Sequence, residues 1–374
     1  MDTDLATPTK LRATCSRAEL AEALSVVVRA VSARGAVQVL AGILLRAEEG
    51  QLQLAATDME LSLRASVLGE VEGDGAVVVP GRLLADLVRL LPGETVSLVR
   101  EEGEGVLAIT SGSHSSRLNV YSAEDFPRLP PTDVELQELP AAALLETIEK
   151  VARAASRDDS RPVLTGILVR FEQDKLVMAA TDSYRLAVKE TALAAPGPEL
   201  DGIIPARALQ ELARLAAGTE EVGLGLHENH VVFRAGEVVL TSRRIDGQFP
   251  NYTQLLPETF EVELEVSRQA LLDVIRRASV LAQRNAPLRL RFAEGELTVA
   301  AHAQEVGEAR ESLPLDYTGE PLEIGFNPDF LRDGLEVIGA ETVQLKLTNP
   351  LRPGLILSPS EGFWYLVMPI RLPG

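Results

Sequence analysis

Ala179-Ala180-Thr181-Asp182-Ser183-Tyr184-Arg185-Leu186-Ala187-Val188 is the second appearance of a pattern. The first, Ala55-Ala56-Thr57-Asp58-Met59-Glu60-Leu61-Ser62-Leu63, starts 124 residues earlier, and an eroded third begins at Ala300-Ala301, 121 residues later. A chain of 374 residues repeating at this interval reads as three tandem modules of ordinary domain size. Boundaries near residues 132 and 260 divide it into 1–132, 133–260 and 261–374.

The same order recurs within each copy. An amphipathic helix opens the module, with Leu20, Leu24, Val27, Val28 and Val31 following a capping Ser16 in the first. Leu144, Leu145, Ile148, Ala152 and Ala155 follow Pro140 in the second, and Leu271, Leu272, Ile275 and Ala278 follow Ser267 in the third. Apolar residues at this spacing belong to a core. A hairpin comes next, pairing 42–45 with 52–56, 166–169 with 175–180, and 288–292 with 296–301 across a polar turn. A second helix is predicted over 80–91, 205–216 and 327–338, each with a proline near its first turn. Copies one and two close on a shared signature, Asp125-Phe126-Pro127-Arg128-Leu129-Pro130 and Gly247-Gln248-Phe249-Pro250-Asn251-Tyr252. Each module is therefore expected to be an α+β unit, two helices packed on one face of antiparallel sheets. Free sheet edges in such a row need covering, and head-to-tail association with a second chain would close them.

The apolar fraction of 46% and charged fraction of 24% are those of an ordinary globular protein. No apolar run approaches the ~20 residues that span a bilayer. The first residues, Met1-Asp2-Thr3-Asp4, lack the basic-then-apolar order of a secretory signal. A single cysteine, Cys15, excludes an intramolecular disulfide, so a cytoplasmic protein is expected.

The net charge of -19 argues against simple electrostatic binding of nucleic acid. Its distribution qualifies that reading. The six helical segments together carry +4, leaving -23 on the remainder. Lys150, Arg153 and Arg157 fall together opposite the apolar stripe of the second module, Arg29 lies on the corresponding side in the first, and Arg276 and Arg277 flank it in the third. The pattern favours a basic helical lining within an acidic body.

Catalytic and metal constellations are weak. His227-Glu228-Asn229-His230 has its histidines three apart at an expected strand turn, not four apart on a helix, and reads as a surface hairpin. Ser113 and His114 are merely adjacent, and the phosphate loop Gly-x-x-x-x-Gly-Lys-Ser/Thr is missing. No cofactor or metal is expected. Two other classes stay open from the residues alone: a hydrolase or transferase with a site between repeated modules, and a protein-binding repeat scaffold.

Over nearly its whole length the sequence resembles the β subunit of bacterial DNA polymerase III, the processivity sliding clamp. The resemblance is carried by Ala179-Ala180-Thr181-Asp182 through Arg185-Leu186-Ala187-Val188, by Asp246-Gly247-Gln248-Phe249-Pro250-Asn251-Tyr252, by Glu323-Ile324-Gly325-Phe326-Asn327, and by Val367-Met368-Pro369-Ile370-Arg371-Leu372. It implies three copies of a DNA-clamp module and a homodimer closed head to tail into a ring. Helices would line a hole around duplex DNA, with sheets outside. The implied partners are the replicative DNA polymerase, the clamp loader and repair polymerases, recruited through short linear motifs, and no enzymatic activity is implied. A ring held on DNA topologically needs few phosphate contacts, which reconciles such a function with the net charge.

By this resemblance and the helix-face argument, Arg29, Arg34, Lys150, Arg153, Arg157, Arg161, Arg276 and Arg277 are expected to face DNA. Arg34 and Arg161 match family positions in loops; the others rest on the helix faces. The resemblance also implies a peptide pocket between modules two and three. From the central module it draws Leu164, Thr181, Ser183, Tyr184, Arg185, Leu186, Pro250, Gln254 and Leu255. From the third it draws Asn327, Phe330, Leu351, Pro353, Leu366, Val367, Met368, Pro369, Ile370, Arg371 and Leu372. Many family members have Gly-His where this chain has Ser183-Tyr184, a change that bears on motif preference. The dimer contact is expected to join Leu118 and Val120 to Val280, Leu281 and Arg284 of the other chain.

Overall fold

The computed structural model describes residues 10–32, 37–48, 50–101, 105–257, 259–282, 286–303 and 307–372. It falls into two compact bodies. The first runs up to Ala141 and includes Arg214–Arg243; the second comprises Ala142–Ala213 and the residues from Arg244 onward. The middle copy of the repeat contributes to both.

In the first body a twelve-stranded antiparallel sheet carries the helices α1 (Arg17–Val27) and α2 (Gly81–Leu90). Ser16 caps α1 by accepting a hydrogen bond from the Glu19 N–H, and Leu20, Leu24 and Val27 are buried, as their spacing predicts. The helix ends earlier than expected, passing at Val28 into a 3-10 turn through Ala30. The predicted hairpin forms from Gly42–Glu48 and Gln51–Thr57, with Leu44 opposite Ala55. The long strand Leu61–Glu72 pairs with Gln51–Thr57, and its opening residues pair with Val238–Arg243 from the middle copy. One continuous sheet thereby spans the end of the first repeat.

The second body holds an eight-stranded and a four-stranded sheet. Its helices are α3 (Ala141–Ala152, whose first residue falls in the other body), the single turn α4 (Pro162–Thr165), α5 (Ala206–Leu215, shared across the division), α6 (Arg268–Ser279) and α7 (Pro328–Glu336). The repeated hairpin reappears as Gly166–Glu172 with Lys175–Thr181 and as Leu288–Ala293 with Glu296–Ala303. Arg185–Ala192 pairs with Phe363–Val367, as Leu61–Glu72 pairs with Val238–Arg243. Sheets continuing across the repeat boundaries are what make the middle copy belong to two bodies.

One expectation is corrected. Each module opens on a strand, not a helix: Leu11–Ser16, Gln137–Pro140 and Val262–Ser267 precede α1, α3 and α6. These strands are short, and their residues merge in sequence with the helix caps. The prolines do stand at the starts of the second helices: Pro80 and Pro205 close strands immediately before α2 and α5, and Pro328 occupies the first turn of α7.

The closing signatures have a common structural role. Tyr121 bridges Val78 before Phe126 enters the core, and Ile245 bridges Ile203 before Phe249 packs on its own cluster. In the third copy Ile370 bridges Gly325, so the C-terminal segment takes the same place.

Candidate functional site

The Thr181–Arg185 turn is shaped by its own side chains. Thr181 Oγ1 donates to the Arg185 carbonyl at 2.6 Å, and Asp182 Oδ1 accepts from the Tyr184 and Arg185 N–H groups at 2.9 and 3.0 Å. Ser183 sits at the tip with φ of 79°, a left-handed conformation that the surrounding bonds must hold in place. The turn thereby presents Tyr184 outward, 61% exposed, and aims Arg185 inward.

Arg185 is held by the protein itself. Its Nε donates to Asp182 Oδ2 at 3.1 Å, and its Nη1 to Asp333 Oδ2 at 2.6 Å and to the Tyr365 hydroxyl at 3.3 Å. The guanidinium lies 4.5 Å from the Phe330 ring centroid. Burial works to lower its pKa, but Tyr365, Asp333 and Asp182 hold it above the ordinary value. Burial pushes the Tyr365 hydroxyl up. Both groups stay in their ordinary charge states, a fixed cation beside a neutral phenol.

The second body also exposes large apolar side chains. Leu255, Leu351 and Met368 are 48%, 62% and 40% exposed, and Met368 is tied to Tyr184 by an N–H to carbonyl bond of 2.8 Å. Leu168, Val177, Leu186, Val188, Leu355 and Leu366 form a buried cluster, with Tyr252 packed on Trp364 at 5.8 Å between ring centroids. Asn327 caps α7 and so fixes Phe330, accepting from the Asp329 and Phe330 N–H groups.

Most of the expected pocket residues lie on these segments, but not all present surface. Tyr184, Ser183, Pro250, Gln254, Leu255, Leu351, Met368 and Arg371 are exposed; Leu164, Arg185, Asn327, Phe330, Pro353, Pro369, Ile370 and Leu372 are half-buried. Thr181, Leu186, Leu366 and Val367 are buried, because their strands pair and turn those side chains into the core.

The cations divide similarly. Lys150 is corrected: it is 5% exposed, with Nζ donating to the Val337 carbonyl and 3.0 Å from Glu361 Oε2, so it is a buried structural cation. Helical spacing placed it opposite the apolar stripe, but the C-terminal end of α7 and the turn at Glu361 cover that position. Arg153 and Arg276 are exposed and share Glu336, at 2.7 and 2.8 Å, and their hydrogen bonds hold that carboxyl below its usual range. Arg277 pairs with Glu311, and Arg161 with Asp158 at 3.1 Å and with the Ser183 hydroxyl. Arg29 and Arg157 are exposed. Arg34 lies outside the described residues, as does Arg284 of the expected dimer contact. Leu118, Val120 and Leu281 are half-buried, and Val280 is 80% exposed.

Sequence reasoning missed Asp333 and Glu336. The signal was the net charge of -2 over 327–339, the one negative helical segment; it now reads as the counter-ion supply for Arg153, Arg185 and Arg276. The paired histidines form a hairpin, His227 opposite His230.

Three family models match this chain: the DNA polymerase III β subunit N-terminal domain over residues 11–130, its central domain over 138–251 and its C-terminal domain over 253–371. The beta sliding clamp of Synechococcus elongatus is 38% identical over 375 residues, covering 97% of this chain and all of the relative. The crystal structure of a DNA polymerase sliding clamp from Bacillus subtilis superposes with a TM-score of 0.92 at 28% identity, covering 98% of this chain and 100% of that one. A sliding clamp from Pseudomonas aeruginosa bound to griselimycin gives 0.88 at 31% identity, covering 97% and 100%.

Proposed function

The chain belongs to the DNA polymerase III β subunit family, the bacterial sliding clamps, and we propose that it acts as a homodimeric ring that encircles duplex DNA and tethers partners through the groove around Tyr184 and Met368. Clamps of this family are non-enzymatic processivity factors of DNA replication. The ring is two chains joined head to tail, each contributing three modules with boundaries near residues 132 and 260.

The observation that carries the tethering role is the anchored Arg185, fixed by Asp182, Asp333 and Tyr365 in a body that also exposes Tyr184, Leu255, Leu351 and Met368. A rigid polar centre within an adaptable apolar surface suits short linear motifs, whose side chains supply affinity while the fixed groups set register. The replicative polymerase, the clamp loader and repair polymerases are the partners such a groove would receive.

The DNA-facing set is Arg29, Arg34, Arg153, Arg157, Arg161, Arg276 and Arg277. Several of these are already paired with carboxylates, which keeps the phosphate grip weak and mobile. An acidic body carrying -19 further suppresses static binding.

The test is retention on DNA. Loaded by a clamp loader onto a nicked circular duplex, the protein remains bound through gel filtration and is lost when the circle is linearised. Retention that ignores free ends would refute topological linkage; loss from the closed circle would refute the ring.

A further inference from the structure

The first body contains a cavity of about 420 Å³ bounded by the Thr57–Leu61 turn, the Pro127–Pro131 segment and the end of the His227–His230 hairpin. Nothing in the clamp function assigned above uses it. Its construction repeats that of the Tyr184–Met368 groove. Thr57 Oγ1 donates to the Leu61 carbonyl, Asp58 Oδ1 accepts from the Glu60 and Leu61 N–H groups, and Met59 takes a φ of 78°, matching Thr181, Asp182 and Ser183 bond for bond. The Arg243 N–H donates to the Glu60 carbonyl at 3.0 Å, as that of Met368 does to Tyr184. Pro127 and the residues after it follow the buried Phe126, as Pro250 follows Phe249.

The two places differ in chemistry at matching positions. Where the groove has Tyr184 and Met368, the cavity has Glu60 and Arg243. In register across the sheet, Arg243 stands opposite His230, and His230 opposite His227, so three nitrogen-bearing side chains share one face. His230 Nδ1 is buried without a hydrogen-bond partner among the described residues. Met59, 61% exposed, and the prolines supply apolar contact beside this row.

We propose that this cavity is a second peptide-binding site, selective for an extended segment in which an aliphatic side chain neighbours a carboxylate. The aliphatic group packs on Met59 and the proline wall, and the carboxylate accepts from the row formed by Arg243, His230 and His227. The kind of occupant rests on the reading of the Tyr184–Met368 groove as a peptide site; the cavity and its charge do not. Glu60, Glu228 and Arg128 also line it, so the row is not a bare cationic patch, and a segment with two adjacent carboxylates would be repelled by the resident acids.

The chain has four methionines, which makes the test direct. In full-length protein labelled with methyl-carbon-13 methionine, Met59 reports the cavity, Met368 the groove, and buried Met178 is an internal control. The probes are acetyl-Ala-Leu-Asp-Leu-Ala-amide and its Asn counterpart. The Asp peptide shifts Met59 saturably, the Asn peptide binds there about fivefold more weakly, and Arg243→Gln removes the difference. Met59 unmoved at the solubility limit, or equal response to both peptides, overturns the proposal. Met368 answers separately: silence there with a response at Met59 refutes the groove and leaves the cavity standing.

Discussion

Asp333 on α7 places its Oδ2 2.6 Å from Arg185 Nη1, while its other oxygen lies 3.5 Å from Arg153. One carboxylate thus holds an arginine of the proposed peptide groove and touches one of the proposed DNA-facing set. Asp333→Asn weakens the charge on both sides without removing the side chain. Arg185 is 11% exposed at its side chain, so the lost ion pair is expected to cost about 1–3 kcal/mol. A fluorescein-labelled peptide from a polymerase partner should bind about tenfold more weakly by fluorescence polarisation. Unchanged affinity would show that Arg185 orientation is immaterial to the groove.

Lys150 makes a second prediction because it is buried with a specific counter-ion, Glu361. Lys150→Met preserves most of the stem volume but strands Glu361, whose carboxyl the lysine and the Gly339 N–H hold down against burial. The single variant is expected to lose about 2–4 kcal/mol in urea denaturation. Lys150→Met with Glu361→Gln should recover at least half of the loss, since the uncompensated charge is then gone. Equal losses for single and double variants would assign the effect to packing.

The contrast between Lys150 and its neighbours shows where the sequence stopped being legible. Period and hairpin pattern located the repeated helices and strand pairs, because these are local consequences of apolar spacing. That Lys150 is covered while Arg153 and Arg157 are exposed depends on α7, more than 170 residues away in sequence, and no local period encodes it. Asp333 and Glu336 were hidden for the same reason. The buried Leu366 and Val367 show the converse: motif resemblance placed them at the groove, and strand pairing with Arg185 and Leu186 turned them inward.

Glu336 supplies a pH prediction. Hydrogen bonds from Arg276 and Arg153 lower its pKa in the folded protein. A carboxylate with a depressed folded pKa adds stability above its unfolded pKa, and that stability is lost as pH falls through the folded value. Wild type should exceed Glu336→Gln in stability at neutral pH, and the gap should close as pH falls below about 4. Denaturant titrations across that window measure it, and a gap independent of pH would show that the two arginines gain nothing from the charge.

The proposed ring is tested at an edge. Val238–Arg243 pairs with the strand that follows the first hairpin, and Phe363–Val367 with the strand that follows the second. The strand in that position in the third copy, Gly307–Pro314, is paired on one side among the described residues, and so is His114–Asn119, the first copy's counterpart of Val238–Arg243. Joining these two edges between chains would repeat the junction already made twice within one chain and close a heterologous contact. Val280, 80% exposed, and Leu281 follow α6, whose residues pack against Gly307–Pro314, so both would flank that joint, opposite Leu118 and Val120. Leu281→Asp buries a charge there and should convert the dimer to monomer in multi-angle light scattering, whereas Leu83→Asp, on the exposed side of α2, should leave it dimeric. A dimer that survives Leu281→Asp at sub-micromolar concentration would place the interface elsewhere.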